Sequence, residues 1–401
     1  MRRALLIIAT ILVVVLLAGF SWVSAVEGVR YSVPKIDRRV EVSPAQVALG
    51  KHWVTLLCAG CHLDEKTGAL TGRRMLDLPA ELGQAYSRNI TQHPIKGIGS
   101  WTDGELIYLL RTGVTRDGRY VPPWMVKLPH MSDADLESII AFLRSDHPWV
   151  APRDVDNRAS EPSLLAKALI RAGAFAPLDY PPAEITRTST TNRVAYGKYL
   201  NESLDCYQCH SANFKSNDSM NPERSVGFMG GGNPLNDMSG RIVYSTNLTF
   251  DLETGIGKWS KDDFRRAVKE ARRPDGSRLR YPMEPLVELS DDEVDALYDY
   301  FATVPKLKNK PPTPDTQEAA AQGQGERIYR KYGCAGCHGD LGDGACDLRK
   351  GPEKYPTDEA LMAFIKRPIA VVPGSRMPAW DGVIHDEEWT PLLAHLRSLA
   401  K

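Results

Sequence analysis

Cys58-Ala59-Gly60-Cys61-His62, Cys206-Tyr207-Gln208-Cys209-His210 and Cys334-Ala335-Gly336-Cys337-His338 are three copies of one pentapeptide, C-x-x-C-H, and their reading decides the fold. Two thiols one helical turn apart can add to the two vinyl groups on one edge of a porphyrin, and the histidine that follows then lies beneath the ring and ligates its iron. The pattern predicts three covalently bound haem c groups. Cys58, Cys61, Cys206, Cys209, Cys334 and Cys337 would form the thioethers, with His62, His210 and His338 as proximal iron ligands. Half a zinc site or a dithiol redox pair is the competing reading of any one C-x-x-C. A zinc site needs a second ligand pair at suitable spacing, and here each copy stands far from the next. A dithiol pair does not need a histidine after the second cysteine in every copy.

Working outward, the 401 residues suit three small domains better than one large one, and a formal net charge of zero gives no sign of a nucleic-acid partner. Arg2 and Arg3 precede an uncharged, mostly apolar run from Ala4 to Val26. That run is long enough to cross a bilayer once, with the basic end inside. The expectation is a single-pass anchor over residues 1–27 in the inner (cytoplasmic) membrane, with the haem domains on the extracytoplasmic side. A cleaved signal peptide ending near Val23-Ser24-Ala25 is the alternative.

The chain repeats itself. Tyr86-Ser87-Arg88-Asn89-Ile90-Thr91 recurs as Tyr244-Ser245-Thr246-Asn247-Leu248-Thr249, and Gly97-Ile98-Gly99-Ser100-Trp101 as Gly255-Ile256-Gly257-Lys258-Trp259. Tyr86 to Met125 and Tyr244 to Met283 are both 39 positions, so the first two modules are duplicates over that stretch. The second has extra length before it, including Gly230-Gly231-Gly232, which reads as a flexible surface loop. The third module is shorter and lacks the block.

Each module closes on an amphipathic helix: Leu136, Ile139, Ile140 and Leu143 after Ser132; Val294, Leu297, Tyr298 and Phe301 after Ser290; Trp389, Leu392, Leu393 and Leu396 after Asp386. Gly50, Gly197 and Gly325 lie in opening helices. A glycine there would let the opening helix cross the closing one at close range, under Phe142, Tyr300 or His395. Further helices should start at Thr102 and Ser260. The proline-bearing stretches 148–190 and 305–318 read as semi-rigid spacers. Domains are therefore expected at 42–150, 190–305 and 320–401.

An electron-transfer haem iron usually has a second axial ligand, most often methionine. Met125 and Met283 each lie eleven positions before the closing stripe, and Met377 lies twelve before Trp389. A loop of that length can carry a thioether across the open haem face, so these three are the expected distal ligands. Met131 competes in the first module but stands where the second has Leu289, and reads as packing. His93 and His130 have no counterpart in the duplicate. Asn89, Asn247, Trp101 and Trp259 have two open readings: donors to haem propionates, or ordinary turn and core residues. Cys346, the seventh cysteine, reads as a buried thiol, with a reactive or intermolecular role as the alternative. The stretch Lys258 to Arg280 carries nine basic and four acidic residues, read as a solvated face, or as a docking face for an acidic partner or anionic lipid.

On the Tyr-Ser-x-Asn-[Ile/Leu]-Thr and Gly-Ile-Gly-x-Trp blocks, residues 42–305 resemble the multihaem cytochrome c subunits of membrane-bound alcohol, aldehyde and gluconate dehydrogenases. Residues 320–401 resemble a generic class I cytochrome c domain. Met125 departs from that family in having no proline after it. The resemblance implies an all-α chain of three tandem class I cytochrome c domains, here behind an N-terminal transmembrane helix. It also implies an electron carrier, not an enzyme by itself, working between a dehydrogenase subunit and a quinol-oxidising complex or terminal oxidase. The competing class is a haem enzyme, a peroxidase or sulfur-compound oxidase, which needs one open iron site.

Overall fold

The computed structural model describes residues 29–75, 78, 80–172, 175–237, 242–312, 323–339, 341–344, 346–372, 375 and 377–399. The chain divides into two compact units, Met1–Arg187 and Thr188–Lys401. The first holds one C-x-x-C-H motif and the second holds two.

The repeated frame is a pair of crossed helices. In the first unit α1 (Pro44–Val54) packs on α3 (Asp133–Leu143), with α2 (Asp103–Thr112) between them in sequence. In the second unit α5 (Arg193–Ser203) packs on α8 (Asp291–Phe301), and α9 (Gln324–Lys331) on α11 (Asp386–Ser398). Each crossing is made on the expected glycine. A Cβ on Gly50 would lie 1.8 Å from Ser138 O, one on Gly197 1.9 Å from Ala296 O, and one on Gly325 2.1 Å from Pro391 O. Cβ atoms of Phe142, Tyr300 and His395 close over the same three points at 2.7–2.8 Å. Interiors packed this tightly have no room for one methyl group there.

Helix starts follow the sequence signals. Ser132 Oγ accepts from Asp135 N at α3, and full capping boxes join Thr102 with Glu105 at α2 and Ser290 with Glu293 at α8. Ser260 and Asp263 do the same at α7 (Lys261–Glu270). Each satisfies amide groups that would otherwise lack acceptors.

Three expectations need correction. The chain is not all-α. Strands β1 (Arg74–Met75), β2 (Gly83–Tyr86) and β3 (Glu161–Pro162) form an antiparallel sheet, with Arg74 opposite Tyr86 and Gln84 opposite Glu161. Strand β4 (Pro234–Asn236) pairs β5 (Ile242–Tyr244) in the second unit. Strands β2 and β5 both end on the tyrosine of the duplicated block. The ladders therefore fasten the backbone just before the residues that reach the haem motif. Second, the transmembrane helix expected at 1–27 lies outside the described residues, and among the described residues no helix is long and apolar enough to cross a membrane. The single-pass inner-membrane assignment is withdrawn on that finding. Third, the spacer 148–190 holds a helix, α4 (Leu164–Arg171), capped by Ser163 Oγ accepting from Ala166 N at 3.1 Å. Its eight residues contain neither proline nor glycine, so nothing in them opposes helix formation.

Candidate metal centres

The first C-x-x-C-H turn sits on a π-helical turn, Thr55–Ala59, that runs into Gly60–His62; the others form short helices, α6 (Cys206–His210) and α10 (Cys334–His338). All six cysteines are half-buried. Burial pushes the thiols of Cys58, Cys206 and Cys334 each up to about 12. Burial also moves His62, His210 and His338 below the usual imidazole range, which favours the neutral form that binds a metal.

The three histidines are oriented alike. His62 Nδ1–H donates to Arg88 O at 2.7 Å, His210 Nδ1–H to Thr246 O at 2.8 Å, and His338 Nδ1–H to Cys346 O at 2.7 Å. A carbonyl can only accept, so the proton is fixed on Nδ1 and the Nε2 lone pair is presented for ligation. Each histidine's own carbonyl is also held. Gly72 N, Gly231 N and Gly344 N donate to His62 O, His210 O and His338 O, all at 2.8 Å. Gly72 and Gly231 sit at φ +86° and +68°, and a Cβ on them would lie 2.2 Å from Ser87 O and 2.4 Å from Thr246 C. Gly231 is therefore a buried clamp, not part of a flexible surface loop.

The duplicated block supplies more than that carbonyl. Ser87 Oγ donates to Cys61 O at 2.6 Å and accepts from Arg73 N at 2.8 Å. Arg73 also donates to Gly60 O; in the second module the matching carbonyl, Gln208 O, accepts from Asn217 Nδ2 at 2.8 Å and Asn233 Nδ2 at 3.1 Å. Sequence reading missed these supports, because unlike side chains serve the same backbone atom. Asn89 and Asn247 turn out to be structural. Asn89 Nδ2 donates to Arg153 O and Val155 O, Asn247 Nδ2 to Leu307 O and Asn309 O, and each Oδ1 accepts from the threonine two residues on. They strap the segment after the closing helix onto the module.

Met125 and Met283 occupy the same turn, with Met125 N donating to Pro122 O at 3.1 Å and Met283 N to Arg280 O at 3.0 Å. Met377 packs on the third core, a cluster that includes Tyr329, Trp380 and Trp389. All three are half-buried, whereas Met131 is fully buried, as its packing role requires. His93 is committed to a turn, its Nδ1 accepting from Lys96 N at 3.0 Å. Cys346 is exposed, contrary to expectation, and contributes its backbone carbonyl. Three cations of the basic stretch are paired by α8: Arg265 grips Asp295 with two bonds of 2.7 Å, Lys269 pairs with Asp291 and Lys261 with Asp299. Among the described residues no three His, Cys, Asp or Glu side chains converge as a metal cage, so the zinc reading finds no second ligand pair.

Comparison with known proteins agrees with this chemistry. Residues 47–146 match the cytochrome c family and residues 320–396 match cytochrome c oxidase, cbb3-type, subunit III. The cytochrome c subunit of the quinone alcohol dehydrogenase of Gluconobacter oxydans is 27% identical over 85% of this chain and 75% of its own length. The gluconate 2-dehydrogenase cytochrome c subunit of Pantoea cypripedii is 25% identical over 85% and 82% of the two chains. The fructose dehydrogenase cytochrome subunit of Gluconobacter japonicus is 27% identical over 62% and 50%. These relatives are electron-transfer subunits rather than catalytic ones, and cytochrome c domains of this kind carry covalent haem c with iron.

Proposed function

We propose that this relative of the dehydrogenase cytochrome c subunits carries three haem c groups, in modules 42–150, 190–305 and 320–401. It would relay electrons from a dehydrogenase subunit to a respiratory acceptor, a quinol-oxidising complex or terminal oxidase. The observation that carries the reading is the threefold repeat of one arrangement: a cysteine pair, a histidine locked by a backbone carbonyl through Nδ1, and a glycine amide on that histidine's own carbonyl. Cys58, Cys61, Cys206, Cys209, Cys334 and Cys337 would hold the rings, and His62, His210 and His338 would hold the irons from one side. Met125, Met283 and Met377 would hold them from the other.

When bound, haem supplies one-electron redox chemistry. The chain's own contribution is to fix the imidazole tautomer, keep water from the sulfurs and cover the second face with a thioether. With both axial positions filled, no substrate reaches iron, so the reading is a relay rather than a haem oxidase. A pyridine haemochrome assay should return three haems per chain, with the methionine-to-iron band in the oxidised spectrum and no carbon monoxide adduct after reduction. Fewer than three haems ends this reading, and an adduct on one iron puts the haem enzyme ahead. Co-purification with a dehydrogenase subunit tests the donor.

A further inference from the structure

Within the second unit, the loop that leads to Met283 lies against the third haem motif. A Cβ built on Gly336, inside the third C-x-x-C, would sit 3.4 Å from Tyr281 Cβ and 3.7 Å from Tyr281 N. Arg278 stands at the start of this loop. It is 6% exposed. Its Nη1 donates to Glu270 O at 2.7 Å, within its own module, and its Nη2 donates to Ala379 O, in the third. The guanidinium carbon lies 4.1 Å from the ring centroid of Trp380, three residues past Met377.

Two observations show that this cation is not fully matched by protein. Among the described residues no carboxylate forms an ion pair with Arg278, the Glu270 carboxylate acts on it only through space, and its Nε is buried without an acceptor. Trp380 Nε1 beside it is buried without an acceptor as well. A buried cation with no directly paired carboxylate is costly, so such arrangements persist where an anion completes them. Haem brings two carboxylates, and a guanidinium N–H with an indole N–H are donors of the right kind for one of them. The cation is not part of the duplicated plan, since Tyr120 holds the corresponding place in the first module. Burial, with Arg272 adding to it, pushes the Arg278 guanidinium down to about 10, which still leaves it charged at neutral pH.

We infer that Arg278, contributed by the second module, holds a fixed positive charge beside the third haem and raises that haem's reduction potential. Ferric haem carries one more positive charge than ferrous, so a nearby buried cation disfavours the oxidised state, and low local dielectric enlarges the effect. The arrangement joins the two modules of this unit electrically as well as sterically, because the residue that sets one centre belongs to the loop carrying the other's methionine. The inference rests on the three-haem reading above.

The test uses the full-length holoprotein. Haem content is counted first, and the three midpoints are then followed by spectroelectrochemical titration, the third being identified as the one that Met377→His displaces. Arg278→Gln should lower that midpoint by about tenfold in the reduction equilibrium, about 59 mV for one electron. Arg278→Lys should restore most of the loss. Unmoved midpoints in a three-haem Arg278→Gln protein overturn the inference, and so does an equal shift in Gln and Lys variants. If both variants lose the third haem, Trp380→Phe decides: a lowered third midpoint supports the assignment and an unchanged one overturns it. A wild-type protein with fewer than three haems sinks the underlying relay reading instead.

Discussion

The first and second modules place one ion pair in two settings. Arg111 and Asp133 join α2 to the start of α3; Lys269 and Asp291 join α7 to α8 at the same places in the duplicate. Arg111 is 1% exposed, and it also donates to Leu128 O at 2.6 Å and Met131 O at 2.5 Å, on the segment following Met125. Among the described residues Lys269 reaches only Asp291, whose side chain is 67% exposed. The first module thus secures its methionine loop with a buried guanidinium. The second spreads the work over several pairs on α8, Lys269 with the exposed Asp291, Lys261 with the half-buried Asp299, and Arg265 with the buried Asp295. A duplicated backbone plan leaves wide freedom in the side chains that fasten it.

The part common to both modules should be the hardest to disturb. Gly231→Ala and Gly72→Ala each put a Cβ on a residue of positive φ within 2.4 Å of backbone. Each should cost about 3 kcal/mol or more and lose one haem, read as one haem per chain fewer than in the wild type. An intact haem count in either variant would remove the glycine clamp from the plan.

The ion pairs come next. Arg111→Met should cost about 3 kcal/mol in denaturant unfolding of the first unit, because two carbonyls and a carboxylate lose their donor. Lys269→Met should cost under about 1 kcal/mol in the second. Equal costs would mean that the difference in burial between the two pairs has no energetic weight.

Acid sharpens the contrast from another side. The Ser260 amide and hydroxyl hold Asp263 below the usual carboxylate range; burial pushes Asp295 up, but the Arg265 guanidinium outweighs it and leaves Asp295 lowered. A depressed folded-state value means stability that is complete above the unfolded-state pKa of about 4 and lost as pH falls through the folded one. The carboxylate contribution should therefore appear in thermal melts of the protein as a drop below about pH 4, separate from the decline that buried histidines such as His395, lowered by burial, bring on as pH falls through about 6.5. Asp295→Asn should flatten that drop. The smallest effect is expected from Cys346→Ser, since the carbonyl rather than the thiol meets His338. Stability should change by under about 0.5 kcal/mol and the third haem's spectrum should stay the same.

What was legible in the sequence had a side-chain signal. The C-x-x-C-H repeats, the serine and threonine caps and the crossing glycines could all be read, because chemistry demands those residue types at those spacings. The histidine-orienting carbonyls could not, because Arg88, Thr246 and Cys346 share nothing but a peptide group. The strands were missed because two to four residues are too few for an alternating pattern. Helix α4 was missed because prolines on either side of it dominated the reading of 148–190, although Ser163 stood in place as its cap. Asn89 and Asn247 stayed ambiguous for a different reason: an amide that straps a segment and one that grips a ligand look identical in sequence.

The carbonyl that orients each imidazole lies 26 residues beyond the first histidine, 36 beyond the second and only 8 beyond the third. A chain emerging from the ribosome or a translocation pore therefore completes its last centre almost as soon as that motif appears, while the earlier two wait on far longer stretches. On the proposed reading, the thioether pair of each pentapeptide is complete, by that interval, before its imidazole can be aligned, and the interval is longest in the middle of the protein.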